Sequence, residues 1–188
     1  MFGFLRLLIV GLRGAQPKLR AGLDAAIQGR AIAKEAGVKL ATTLSDMSMI
    51  NFCRAGLEAM VGSNDLDYLF CNEEEAQVWC GSTDFDTIVS AMGKLAKVVC
   101  LTRGAKGCLV LEDGLQTAVP AAQVKAIDTN GAGDMFAGAF LFAVTHGHSH
   151  GDAARLANAA AGTVVAQYGN RLNSELLQEI RREFEAPV

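Results

Sequence analysis

The chain has 188 residues, 51% of them apolar and 20% charged, which suits one globular domain with a real core and excludes a disordered or low-complexity protein. A net charge of −3 and a pI of about 5.6 exclude the broad positive field that attracts nucleic acid. The five cysteines (Cys53, Cys71, Cys80, Cys100, Cys108) form no C-x-x-C pair and lie mostly in apolar runs, so they read as reduced, buried thiols of a cytoplasmic protein.

Residues 1–23 are atypical. Met1 to Leu12 is apolar but broken by Arg6, and Arg13, Lys18 and Arg20 follow it. The run is too short to span a bilayer and lacks the small-residue cleavage site of a signal peptide. It reads as a buried strand followed by a loop from Gly14 to Pro17. Asp24 to Ala36 has helix composition, with Ala26, Ile27, Ala31, Ile32 and Ala33 near one face and Gly37 as a stop. Val38 to Leu44 reads as a buried strand. Ser45 and Asp46 make a turn that caps a helix from about Ser48 to Val61.

Leu66 to Cys71 is a short apolar strand that runs into Asn72-Glu73-Glu74-Glu75-Ala76. By itself this is an N-cap followed by first-turn acids that suit the helix dipole. Trp79 reads as core on that helix. Thr83-Asp84 can cap a helix to about Leu95. A strand from Val98 to Thr102 then leads into Arg103-Gly104-Ala105-Lys106-Gly107 and the strand Cys108 to Leu111. No G-K-[ST] follows, so this turn is not a Walker A loop. Arg103 and Lys106 are either solvated turn cations or neutralisers of phosphate charge. Asp113-Gly114 is a hairpin turn into Leu115 to Val119, which Pro120 ends.

Val124 to Ile127 reads as extended and delivers the chain to Asp128-Thr129-Asn130-Gly131-Ala132-Gly133-Asp134, followed by a helix to about Thr145. A helix start carries backbone N–H groups and a positive dipole end. Glycines there let a phosphate approach closely. Asp134, in the first turn, could take a proton from a hydroxyl nucleophile. The plain alternative is a glycine turn with an N-terminal acid. Gly138 and Ala139 would allow close packing on a sheet. His146, His148 and His150 could bind a metal if extended, although the intervening glycine and the position between helices favour a solvated loop. Ser149 and Asp152 suit a capping box. Asp152 to Gln167 is a helix rich in alanine, and Ser174 to Phe184 is amphipathic with Leu176, Leu177 and Ile180 inward. Alternating helices and buried strands predict an α/β, three-layer αβα, Rossmann-like domain with a mainly parallel sheet. Its ligand crevice should lie at the carboxyl ends of the strands.

The string D-T-N-G-A-G-D resembles the C-terminal signature of the ribokinase-like (PfkB) family of carbohydrate and nucleoside kinases, and its Asn is closer to the adenosine-kinase branch. The resemblance covers about residues 24–172. It implies ATP-dependent phosphoryl transfer to a hydroxyl of a nucleoside or sugar, with no nucleic-acid or membrane partner. Asp134 would be the base, and Gly131, Ala132 and Gly133 the anion hole. Asn72 and Glu75 match an N-x-x-E motif that orders Mg²⁺ and water. Thr102, Gly104 and Gly107 match a T-x-G-x-x-G element along the phosphates. Asn158 matches a residue near the adenine. Asp128 is a monovalent-cation candidate, with K⁺ as the ion and the Gly169-Asn170 turn closing its site. Satisfying loop N–H groups explains an Asp at that position equally well. Ser45 and Asp46 fall near the nucleotide end of the sheet. The family's N-terminal portion, with its lid and acceptor-binding residues, is not recognisable. Residues 24–188 therefore read as the nucleotide-binding part of such a kinase, from a C-terminal piece or an altered start, and a homodimer through the lid stays open. The alternative is a nucleotide-binding remnant without transfer. An unrelated hydrolase would lack a nucleophile–histidine pair.

Overall fold

The computed structural model describes residues 7–10, 16–44, 47–61, 66–172 and 174–185. Six strands are hydrogen-bonded in sequence order: β1 (Leu7–Val10), β2 (Lys39–Thr43), β3 (Tyr68–Asn72), β4 (Val98–Thr102), β5 (Cys108–Glu112) and β6 (Leu115–Val119). The chain clusters into two compact units, Met1–Leu101 with Leu111–Gln116, and Thr102–Val110 with Thr117–Val188. Ser45 and Asp46 lie outside the described residues.

In the first unit β1, β2 and β3 are parallel, with Leu7 opposite Lys39 and Ala41 opposite Tyr68. Parallel neighbours need crossovers, and α1 (Gln16–Glu35) and α2 (Met47–Val61) supply them. Helix α1 begins earlier than the Asp24 start predicted from composition. Pro17 is tolerated there because first-turn N–H groups have no intrahelical partner. Its inward face is also narrower than expected. Ala26 and Ala33 are buried, whereas Ile27 and Ile32 are exposed.

β4 is buried from Val98 to Leu101, as a strand covered on both faces should be. The core of this unit is Leu44, Ile50, Leu57, Met60, Leu69 and Met92. Helix α3 (Glu73–Cys80) carries buried Trp79, and the Arg54 guanidinium lies 5.1 Å from that ring. Helix α4 (Phe85–Met92) is capped by Asp84, whose carboxylate accepts from Thr87 N at 2.9 Å. It ends short of the predicted Leu95. Asp113-Gly114 makes the two-residue turn between β5 and β6.

The second unit is built on α5 (Ala132–Thr145), α6 (His150–Val165) and α7 (Ser174–Glu185). Phe136, Phe140 and Leu141 from α5 are buried, and α6 offers Ala153, Ala154, Ala157 and Ala160 on its buried face. Small residues let the two helices pack closely. The Phe136 and Phe140 rings stack at 6.3 Å, and Phe140 stacks on His150 at 5.9 Å. Two sequence readings are corrected here. Gly138 is exposed with nothing within 4 Å of an added Cβ, so it does not mediate close packing. Leu177 is exposed. Residues 124–127 join no strand, and Val124 and Ile127 are exposed.

Candidate active site

Within the second unit, the end of β4, the turn after it and the start of α5 enclose a cleft of about 230 Å³. Thr102, Gly104, Gly107, Ala132, Gly133 and Asn158 all line it. Residues more than fifty positions apart in sequence thus meet in one place, and all but Asn158 came from a short motif.

Local chemistry explains the shape of the cleft. Gly107 has φ +86°, and a Cβ there would stand 2.0 Å from the Val119 carbonyl oxygen. No side chain fits that position. Gly131, the residue before α5, has φ +79°, and a Cβ there would fall 2.5 Å from the Asn170 Cβ. No side chain caps α5. Gly133 opens onto free space, with nothing within 4 Å of an added Cβ. Asp134 follows it in the first turn and is exposed.

Asp128 sits behind this corner. Its carboxylate accepts from Asn130 N at 3.0 Å and from Gly169 N at 3.2 Å. These two amides, Asn130 first, hold its carboxyl below the usual range. The Ile127 and Asp128 amides both donate to the Val165 carbonyl at 2.7 and 3.2 Å. The Asp128 carboxylate therefore satisfies loop N–H groups, the plainer of its two expected roles, and the Gly169-Asn170 turn is its partner.

Asn158 is buried at 9% exposure. Its Nδ2 donates to the carbonyls of Val119 at 3.1 Å and Pro120 at 3.0 Å and lies 3.6 Å from Cys108 Sγ. Burial pushes the Cys108 thiol up to about 11, and the Asn158 contact works against that rise. Sequence reasoning missed the wall formed by Ala121, Ala122, Gln123 and Val124, which has no periodicity to mark it; Ala161 and Gly162 of α6 line the cleft together with Asn158.

Asn72 and Glu75 belong to the first unit. They form a closed capping box. Asn72 Oδ1 accepts from Glu75 N at 2.8 Å, Glu75 Oε2 from Asn72 N at 3.0 Å, and Glu75 Oε1 from Asn72 Nδ2 at 2.9 Å. Glu75 is buried at 6% exposure. Burial, then the Glu75 carboxylate and Cys80, push the neighbouring Cys71 thiol well up.

The histidine triplet is dispersed. His146 Nδ1 lies 2.7 Å from the Phe142 carbonyl oxygen and so donates to it, whereas His150 begins α6. Among the described residues no group of three or more His, Cys, Asp or Glu side chains could hold a metal ion, and no helix is long and apolar enough to cross a membrane.

Residues 19–176 match the sequence model of the pfkB family carbohydrate kinases. The chain belongs to that family. A ribokinase of Lactococcus lactis is 27% identical over 140 residues, covering 74% of this chain and 41% of its own length. Adenosine kinase 1 of Arabidopsis thaliana is 30% identical over 119 residues, covering 55% of this chain and 35% of that protein. The crystal structure of adenosine kinase from Sinorhizobium meliloti superposes with a TM-score of 0.81 at 31% identity, over 86% of this chain and 50% of that one. This pfkB-family chain therefore has the ribokinase-like α/β fold, and its match spans between 35% and 50% of the length of these relatives.

Proposed function

We propose that the cleft takes ATP and that the protein transfers its γ-phosphoryl group to a hydroxyl of a nucleoside or sugar. One observation carries the reading. Helix α5 starts without a side-chain cap, at a corner only glycine can make, and opens onto the cleft lined by Thr102, Gly104 and Gly107. A phosphate is the natural cap for such a start. The cleft is smaller than the roughly 300–1,000 Å³ of sites that engulf a drug-sized ligand. A nucleotide seated in it would extend over Gly133, where the surface is open.

The backbone of Gly131, Ala132 and Gly133 would hold the transferred group, and Asp134 would take the proton of the attacking hydroxyl. Asn72 and Glu75 offer hard oxygens of the kind Mg²⁺ prefers. Each Glu75 oxygen already accepts a hydrogen bond from Asn72, so the pair suits a hydrated ion held through water. Magnesium bound with ATP supplies neutralisation of charge on the phosphoryl oxygens. A potassium ion near Asp128 would share that carboxylate with two amides. The adenosine kinases among the relatives favour a nucleoside acceptor over a free sugar.

Calorimetric titration with ATP and Mg²⁺ tests the site, comparing the native chain with Gly133→Leu. Saturable binding that the leucine abolishes is the expected result. A folded native chain that binds no ATP would overturn the reading. Nucleotide binding without transfer, the competing reading, predicts the same titration but no phosphorylated acceptor.

A further inference from the structure

Residues 121–124 form one wall of the cleft, and three independent contacts converge on residues 119–122. Asn158 donates from Nδ2 to the carbonyls of both Val119 and Pro120. Gly107 passes so close beneath that an added Cβ would stand 2.0 Å from the Val119 oxygen and 2.6 Å from the Ala121 nitrogen. Gly162 on α6 meets Ala122, whose Cβ would lie 3.0 Å from an added methyl. Beyond Val119, the last residue of β6, the segment has no strand pairing. Its path is set by one buried amide and two positions where no side chain intervenes.

The amide's orientation is fixed chemically. An NH₂ group has two hydrogens, and two carbonyl oxygens take them. Reversing the amide would set its oxygen against both carbonyls at about 3 Å. The donor end is therefore committed to the wall.

We propose that Asn158 is a positioning residue that pins the wall at Val119 and Pro120 and so sets the width of the nucleotide cleft, rather than reading the nucleotide's base through its NH₂. The proposal rests on the nucleotide site argued above. It assigns to Asn158 a role that treats all purine nucleotides alike.

The test uses the full chain and two variants, Asn158→Ala and Gly162→Ala. Amide hydrogen exchange at residues 121–124 and alkylation of Cys108, followed by peptide mass analysis, report on the wall without any ligand. Titrations with Mg·ATP and Mg·GTP report on the site. Losing a buried hydrogen bond worth about 1.4 kcal/mol corresponds to a tenfold change. Asn158→Ala should therefore raise both ligand-free rates about tenfold or more. It should weaken ATP and GTP together and leave their ratio unchanged. A changed ATP-to-GTP ratio with unchanged exchange and alkylation would overturn the proposal in favour of base reading. If Asn158→Ala does not fold, Gly162→Ala decides. It keeps the amide and presses on Ala122, so it should weaken both nucleotides in parallel, and unchanged affinity for both would overturn the proposal. A native chain that binds neither nucleotide would defeat the nucleotide site itself, and the exchange and alkylation rates would still decide whether Asn158 holds the wall.

Discussion

The starts of α3 and α5 look alike in sequence and are opposites in structure. Each follows an extended stretch, and each places a carboxylate in its first turn. At α3 the side chains turn on their own backbone. Asn72 and Glu75 close a box of three hydrogen bonds, and Glu75 is buried behind it. At α5 the N-cap is Gly131, which has no side chain to give, and Asp134 stands exposed. The first helix start is self-sufficient. The second has no side-chain cap of its own. A carboxylate's meaning thus depends on whether the helix beside it is already capped.

That contrast can be broken most sharply at the two acids. Asp134→Asn should lower phosphoryl transfer by about 10²–10⁴-fold, the usual contribution of a positioned general base, while ATP affinity holds. A coupled ADP-release assay with a nucleoside acceptor reads it, and full activity in the variant would remove Asp134 from the mechanism. Glu75→Gln keeps a capping-box residue type and should change transfer far less.

Gly131→Ala sharpens the comparison from the other side. It forces a side chain into a positive-φ position and against Asn170. Backbone strain alone costs about 1–3 kcal/mol, so the urea midpoint should fall, and native-like stability would mean that the corner is softer than its geometry implies. Asn72→Ala is milder. Losing an N-cap costs about 1 kcal/mol, or roughly 2–4 °C in melting temperature for a chain of this size. An unchanged melting curve would show that the box at α3 is decorative.

The smallest effect is electrostatic. Two amides hold the Asp128 carboxyl below its usual range. A depressed carboxyl stabilises the folded state above its unfolded pKa of about 3.9 and loses that contribution as pH falls through the lower folded value. Asp128→Asn should therefore lower stability most near neutral pH, where that contribution is whole, and flatten the acid limb of the stability curve below about pH 4. An unaltered acid limb would separate Asp128 from the loop amides.

The sequence was most legible where signals are local. β4 spans Val98–Thr102 as predicted, the Asp113-Gly114 turn joins its two strands, and Asn72, Asp84 and Ser149 all cap helices. Each depends on a few adjacent residues. Thr102, Gly104 and Gly107 share a cleft with Gly133 because two short motifs each mark a chain reversal at the same place. What failed depended on facing. Ile32, Gly138 and Leu177 were assigned inward from composition, and composition does not say which side of a helix another element will cover. The wall at 121–124 was illegible for a different reason. It has no periodicity, and it owes its path to Asn158 and Gly162, which are distant in sequence.

The clasp between Asp128 and Gly169 closes a loop of chain 41 residues around. Inside that loop, α5 and α6 are joined only by the short exposed turn near Gly147. Exposed turns are where proteases cut most readily. A chain nicked there would keep its two halves together through Phe140, His150 and the clasp, and the corner at Gly131 would survive the break.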